Sequence, residues 1–209
     1  MKAYIFTGGG VAKENVGELP SKDALVIAAD AGHATALSLG VRPSVAVGDF
    51  DTLGECGFSR DTEVIRLPAE KDVSDTQAAV DIALGRGADE IVIIGGLDGR
   101  LDHTMANLGI VSSLTKKGIA AVITDGKNRV RYLENSSALI PKGNFRYLSL
   151  VCLGKKARGV SIKGVKYPLE HATLSSDMPS LSISNEIVDN LALVSVKRGQ
   201  MYIIESNDN

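Results

Sequence analysis

Gly48-Asp49-Phe50-Asp51 follows the apolar run Val45-Ala46-Val47. An apolar run closed by glycine reads as the end of a buried strand, and two carboxylates in the mouth of a core strand are costly unless something neutralises them. In an extended chain Asp49 and Asp51 project to one side, because strand side chains alternate. In a turn they can converge on one point. Either geometry suits a hard divalent cation with oxygen ligands, most simply Mg2+. Asp49 can equally cap the next turn while Asp51 is solvated, since Asp is a common turn residue. The tetrapeptide alone leaves both readings open.

The neighbouring stretches repeat this texture. Ala3-Tyr4-Ile5-Phe6 runs into Gly8-Gly9-Gly10, where glycines let backbone N–H groups approach a phosphate or merely supply a flexible turn. No Gly-Lys-Ser/Thr follows, so the motif is not a Walker loop, and it is not GxGxxG. Leu25-Val26-Ile27-Ala28-Ala29 ends at Asp30, and Ala34–Leu39 reads as a short helix stopped by Gly40. Glu63–Leu67 is a fourth strand. Lys71-Asp72-Val73-Ser74-Asp75 then precedes a helical segment, Ala78–Leu84, for which either Ser74 or Asp75 is a suitable cap. Glu90–Ile94 ends in Gly95-Gly96 and opens onto Gly99-Arg100-Leu101-Asp102-His103. A helical pattern follows from Thr104 to Lys117, with Asn107 near its first turn, before a sixth strand, Ile119–Thr124. A helix N-terminus favours anions, and Arg100 would add a fork of donors for phosphate. His103 can serve as a general base or as a structural hydrogen-bonding residue.

Strand, loop and helix recurring in this order predict an α/β domain with a mostly parallel, Rossmann-like layered sheet over residues 1–127. The acids fall at the carboxyl ends of strands, where such sheets bind ligands. Coincidence explains one such junction easily and four poorly. After Asp125-Gly126 the pattern alternates, glycine turns recur and no helical period appears, which predicts an all-β sandwich over 128–209. Leu191–Val196 and Met201–Ile204 read as a hairpin over Lys197-Arg198-Gly199-Gln200. In Ser182-Ile183-Ser184-Asn185, an extended chain would put Ser182 and Ser184 on one face, as a polar edge strand also would.

Composition excludes several classes. The chain has 209 residues, 44% hydrophobic and 23% charged, with a net charge of −2 and no Trp, so neither nucleic-acid binding nor a base-stacking platform is expected. No apolar run reaches the ~18 residues of a membrane span, and the start lacks a signal-peptide pattern. Cys56 and Cys152 are far apart and in no metal-ligand spacing, which suggests a reducing, cytoplasmic setting. Between Glu134 and Glu170 there is no acid, yet Lys142, Arg146, Lys155, Lys156, Arg158, Lys163 and Lys166 are basic. That run is either a solvated face or a surface that attracts anions.

Together the stretches resemble the thiamine pyrophosphokinase (thiamine diphosphokinase) family. The matching pieces are Asp30-Ala31-Gly32, Pro43 with Gly48-Asp49-Phe50-Asp51-Thr52, Lys71-Asp72 with Ser74-Asp75, and Gly95-Gly96 with Gly99-Arg100-Leu101-Asp102-His103 and Asn107. Gly164-Val165-Lys166-Tyr167-Pro168-Leu169 and Ser182-Ile183-Ser184-Asn185 complete the set, in family order. The resemblance implies transfer of the pyrophosphoryl group of ATP to thiamine, giving thiamine diphosphate and AMP. It also implies a homodimer with active sites at the subunit interface and Mg2+ held by Asp49, Asp51 and Asp75. Asp30 and Asp102 become further catalytic acids. Lys71, Asp72, Arg100, His103 and Asn107 are assigned to ATP, and Ser182, Ser184 and Asn185 to thiamine. Thr52 stands where the family often has Ser, and the Trp that some members place against thiamine is missing. The rival readings are a pyrophosphokinase of another hydroxymethyl heterocycle, such as a pterin, and a non-catalytic thiamine- or nucleotide-binding regulator.

Overall fold

The computed structural model describes residues 1–208 except Lys22, 51–57, Ala69 and Lys71. Asp51, Thr52, Cys56 and Lys71 therefore lie outside the described residues. The chain divides into two compact units, Met1–Gly126 and Lys127–Asn209. The fold is mixed α/β, with a large parallel arrangement of strands and a separate antiparallel sheet. Among the described residues no helix is long and apolar enough to cross a membrane.

In the first unit β1 (Lys2–Phe6), β2 (Leu25–Ala29), β3 (Val45–Gly48), β4 (Glu63–Arg66), β5 (Glu90–Ile94) and β6 (Ala120–Thr124) lie in the order β4-β3-β2-β1-β5-β6. Neighbours pair in parallel throughout. Parallel strands covered on both faces need continuous apolar runs, and β2 is buried at all five positions. Tyr4, Phe6, Val26, Val92 and Ile94 form one core cluster with Ala36 and Leu39. The alternate residues Ile5, Ile27, Ile91 and Ile93 are fully buried as well. Helix α1 (Gly32–Ser38) packs on β1 and β2, α2 (Asp75–Gly85) on β1, β2 and β3, and α3 (Leu101–Lys116) on β6. The small side chains Ala78, Ala79 and Ala83 are buried in α2.

The strand order has a functional consequence. From β1 the chain steps to β2, β3 and β4, then crosses back and continues from β5 to β6 on the other side of β1. The connections leaving β1 and β5 thus run in opposite directions, which opens a crevice at their carboxyl ends.

In the second unit β7 (Asn128–Glu134), β13 (Gln200–Ser206) and β9 (Tyr147–Cys152) pair antiparallel with β13 in the middle. The four-stranded sheet runs β11 (Leu169–Ser175), β10 (Lys156–Lys163), β12 (Leu191–Ser195), β8 (Ser137–Pro141). Inward residues of both sets, including Leu133, Leu150, Ile162, Leu174, Val194, Met201 and Ile203, form one core cluster. The predicted hairpin is not formed: β12 pairs with β10 and β8, and β13 with β7 and β9. Ala192, Val194, Met201 and Ile203 have the same alternation whether two strands lie side by side or face each other across a core. The face-to-face arrangement buries all four.

The Ser182–Asn185 segment also departs from an extended strand. Pro179–Ser182 is a 3-10 turn and Ser184 has φ +58°. Asn185 is buried and forms an isolated antiparallel bridge with Leu148.

Candidate active site

The β1/β5 crevice is an open cleft of about 420 Å3. Its walls come from the ends of three strands and the starts of two helices: Thr7, Gly8 and Gly9 after β1, Asp30 after β2, and Gly96, Asp98 and Gly99 after β5. Ser74 and Asp75 at α2, and Arg100, His103 and Asn107 at α3, complete them. The glycines are needed for close approach. A Cβ on Gly96, at φ +73°, would lie 2.5 Å from Asn107 Nδ2 and 2.7 Å from Thr7 Oγ1. Asn107, nearly fully buried, fastens this turn by donating from Nδ2 to the Gly96 carbonyl at 3.0 Å. The Gly96 N–H donates to the Gly8 carbonyl at 3.1 Å, tying the two glycine loops together.

Asp30 occupies a strained position. Its φ of +45° is uncommon for a residue with a Cβ and is typical of a site where geometry outranks local comfort. Its N–H donates to the Val47 carbonyl at 2.8 Å, and a Cβ on Gly48 would come within 3.2 Å of Asp30 Cα. The glycine of the Gly48-Asp49-Phe50 stretch thus makes room for the neighbouring acid. Ser74, not Asp75, caps α2, accepting from the Gln77 N–H at 3.2 Å. Asp75 is the first helical residue and lines the cleft. The Oδ1 atoms of Asp30 and Asp75 are both removed from solvent.

The chain turns at Phe50, with φ +55°, and the Phe50 ring packs edge-on against Phe58 at 5.0 Å. Asp49, just before that turn, is half-buried and is not among the residues lining the cleft. Asp72 is exposed and also lies off the lining. Arg100 grips Asp102 through Nε at 3.2 Å and a terminal nitrogen at 2.6 Å, while Asp102 Oδ1 accepts the His103 N–H at 2.9 Å. The guanidinium holds the Asp102 carboxyl below its ordinary pKa. Asp102 itself is off the lining; Arg100 and His103 are on it. Among the described residues no three His, Cys, Asp or Glu side chains converge as a metal cluster.

Sequence reasoning missed Asp98 and Thr7. Asp98 Oδ2 accepts the Gly10 N–H at 2.8 Å, and a Cβ on Gly9 would strike Asp98 Oδ1 at 2.1 Å. The available signal was an acid between two glycine turns, Gly95-Gly96 and Gly99, which reads equally as a loop residue.

In the second unit the three predicted thiamine-site residues come together only in part. A small pocket of about 100 Å3 is lined by Leu150, Ile162, Leu169, Leu181 and Ile183, with Tyr167, Ser182 and Asn185. Ser184 is not on its lining; its N–H donates to Ser149 Oγ at 3.0 Å. Ser182 Oγ donates to the Leu150 carbonyl at 2.6 Å. The Asn185 carboxamide accepts from Tyr167 N–H at 3.0 Å and from Glu186 N–H at 2.9 Å, and donates to the Tyr167 carbonyl at 2.7 Å.

Comparison with known proteins identifies the family. Residues 16–123 match the family model described as thiamin pyrophosphokinase, catalytic domain, and residues 137–201 match thiamin pyrophosphokinase, vitamin B1 binding domain. Thiamine pyrophosphokinase of Bacillus subtilis (strain 168) is 32% identical over 191 residues, covering 88% of each chain. The crystal structure of thiamin pyrophosphokinase from Geobacillus thermodenitrificans superposes with a TM-score of 0.85 at 27% identity, covering 100% of this chain and 99% of the other. That of the Bacillus subtilis enzyme gives 0.84 at 26% identity, covering both chains fully. The catalytic-domain match spans more than half of the chain, and the identity to the Bacillus subtilis protein extends over most of it: the chain belongs to the thiamine pyrophosphokinase family.

Proposed function

We propose that the β1/β5 cleft receives the triphosphate of ATP and that the Tyr167–Asn185 pocket receives thiamine. The chain is a thiamine diphosphokinase, transferring the pyrophosphoryl group of ATP to the thiamine hydroxyl and releasing AMP. The observation that carries the site assignment is the meeting of two glycine loops with Asp30, Asp75, Arg100 and His103 at a topological switch point. We read the first unit as a Rossmann-like layer and the second as a β-sandwich, acting as catalytic and thiamine-binding domains divided near residue 127.

In the transfer, the thiamine hydroxyl oxygen forms a bond to the β-phosphorus as the bridging oxygen to the α-phosphorus leaves with AMP, and the hydroxyl proton passes to a cleft carboxylate or to water. Such chemistry depends on positioning and on stabilising the charge that develops on the transferred group. Gly8, Gly9 and Gly96 let backbone approach the phosphates, and Asn107 holds the Gly96 turn in place. Arg100 contributes a fork of donors. His103 and the cleft acids are within the same walls, and no single one is required as base. The acids alone would repel ATP. The buried carboxylate oxygens of Asp30 and Asp75 are hard donors that fit Mg2+. These residues would hold it, with Asp49 and Asp51 as the further carboxylates the family resemblance implies. When bound, the ion offsets the charge between acids and phosphate.

On the thiamine side, Tyr167 stands exposed beside an apolar pocket and offers the ring face that a Trp offers elsewhere in the family. Ser182 and Asn185 shape that pocket, with Ser184 behind them. A homodimer with active sites at the subunit interface is supported by the apolar outer face of the four-stranded sheet. There the exposed Leu139 and Leu193 lie directly opposite each other. The reaction is assigned to the cytoplasm on its reducing-type cysteine usage.

The test is to supply ATP, Mg2+ and thiamine and identify the products. Thiamine diphosphate and AMP in equal amounts are expected, with none from a hydroxymethyl pterin. Asp75→Asn should lower turnover by about a hundredfold or more with the fold retained. Unchanged turnover in that variant would overturn the site assignment.

A further inference from the structure

The basic run between Glu134 and Glu170 divides in the structure. Arg146 pairs with Asp208 at 3.1 Å and Lys166 with Glu186 at 3.2 Å. Lys155, Lys156 and Arg158 instead meet Arg198 around a concavity of about 450 Å3 lined by these four residues. Among the described residues none of the four forms an ion pair with a carboxylate. Glu134, opposite Gln200 on β13, accepts instead from the Tyr132 hydroxyl at 2.7 Å.

The arrangement is built into the backbone. Arg158 and Arg198 form an isolated antiparallel bridge, the Arg158 N–H donating to the Arg198 carbonyl at 2.7 Å and the Arg198 N–H to the Arg158 carbonyl at 3.1 Å. Like charges placed directly opposite are unfavourable. Two packed glycines nevertheless fix them there. Gly159, at φ +64°, sits where β10 shifts register, and its Cβ would lie 2.8 Å from Lys197 Cβ. A Cβ on Gly199 would lie 2.8 Å from Ala157 Cα. The lining holds no aromatic ring to stack a base and no apolar residue, only the aliphatic stems of its lysines and arginines. Its polar groups are cations and N–H donors. Length, flexibility and close spacing of negative oxygens are what such a lining recognises.

We propose that this concavity is a second anion site, specific for a condensed phosphate chain. It is distinct from the thiamine pocket: no residue lines both, and their nearest lining residues on β10, Arg158 and Ile162, are about 13 Å of strand apart. Free inorganic polyphosphate and the phosphate chain of a nucleotide share the recognised chemistry.

The experiment follows the arginine Nε–Hε signals of the intact protein by NMR, with inorganic tripolyphosphate added at about 0.15 M KCl to screen diffuse attraction. The Arg158→Gln and Arg198→Gln spectra assign the two signals. Both should move saturably with tripolyphosphate, and Lys155→Gln with Lys156→Gln should weaken the binding by about tenfold or more, while thiamine diphosphate formation continues at its original rate. Signals that stay fixed, or that move equally with sulfate at matched ionic strength, would overturn the proposal. An ATP arm separates the sources: equal shifts mean that the phosphate chain alone is read, and shifts with tripolyphosphate only mean a free inorganic ligand. Either result supports the site.

Discussion

The Asn185 side chain holds both backbone polar groups of Tyr167, accepting its N–H at 3.0 Å and donating to its carbonyl at 2.7 Å. Eighteen residues of chain separate the two, so the carboxamide acts as a clasp on the β10–β11 loop. Its amide group has both a donor and an acceptor in use, which leaves neither aspartate nor leucine an adequate substitute.

Asn185→Ala should therefore act on the thiamine side. The loss of buried hydrogen bonds predicts a stability decrease of about 1–3 kcal/mol. The Michaelis constant for thiamine should rise more than that for ATP, because Tyr167 loses its anchor. Steady-state kinetics with each substrate varied, beside thermal melts, checks both parts. An equal rise in both constants would reject the clasp.

Two glycines of the β5–α3 loop separate backbone strain from lost space. Gly96 and Gly99 both have positive φ, +73° and +83°, but only Gly96 faces close neighbours. Gly99→Ala should cost the left-handed strain alone, about 1–2 kcal/mol. Gly96→Ala should cost more and also displace Asn107 and Thr7, so kcat/KM should fall alongside the melting temperature. The two alanine variants, measured together, give the comparison.

Glu205 on β13 is almost fully buried and pairs with Arg131 across the strand from β7. Removing the arginine leaves the buried Glu205 carboxylate without this partner. Arg131→Met should destabilise the protein by about 3 kcal/mol, read by urea unfolding. Arg131→Met together with Glu205→Leu should recover much of that loss.

Asp102 gives a prediction about pH. Arg100 holds its carboxyl below the ordinary value, so the stabilising effect is complete above an unfolded pKa of about 3.9 and is lost as pH falls through the lower folded value. The pair consequently does not titrate near neutrality. Asp102→Asn should lower kcat/KM about tenfold by releasing the Arg100 fork, while the shape of the pH–rate profile between about pH 5 and 9 stays that of the original protein. A lost or shifted limb in that range would contradict this.

The first unit was legible because its central strands are buried on both faces. Val26, Ile27 and Ala28, or Ile91 through Ile94, can only be core, and the glycine or aspartate after each run marks the carboxyl edge. The second unit was less legible for a physical reason. Alternation in Leu191–Ser195 and Gln200–Ser206 reports which side chains point inward but not which strand lies alongside. Ser184 at φ +58° carries no sequence sign of its turn, since serine has no special tolerance for that region. Asp98 hid between glycines. Asp75 was recognised, but its release from capping depended on Ser74 taking that task, a choice two adjacent cap-forming residues leave open.

The central place of β13 between β7 and β9 also governs when the second unit can assemble. During synthesis, residues 128–134 and 147–152 emerge well before residues 200–206, and each waits with an open hydrogen-bonding edge until the strand between them arrives. The ribosome therefore presents a growing chain whose first unit can close early, while its second carries two unfinished edges over some fifty residues of translation.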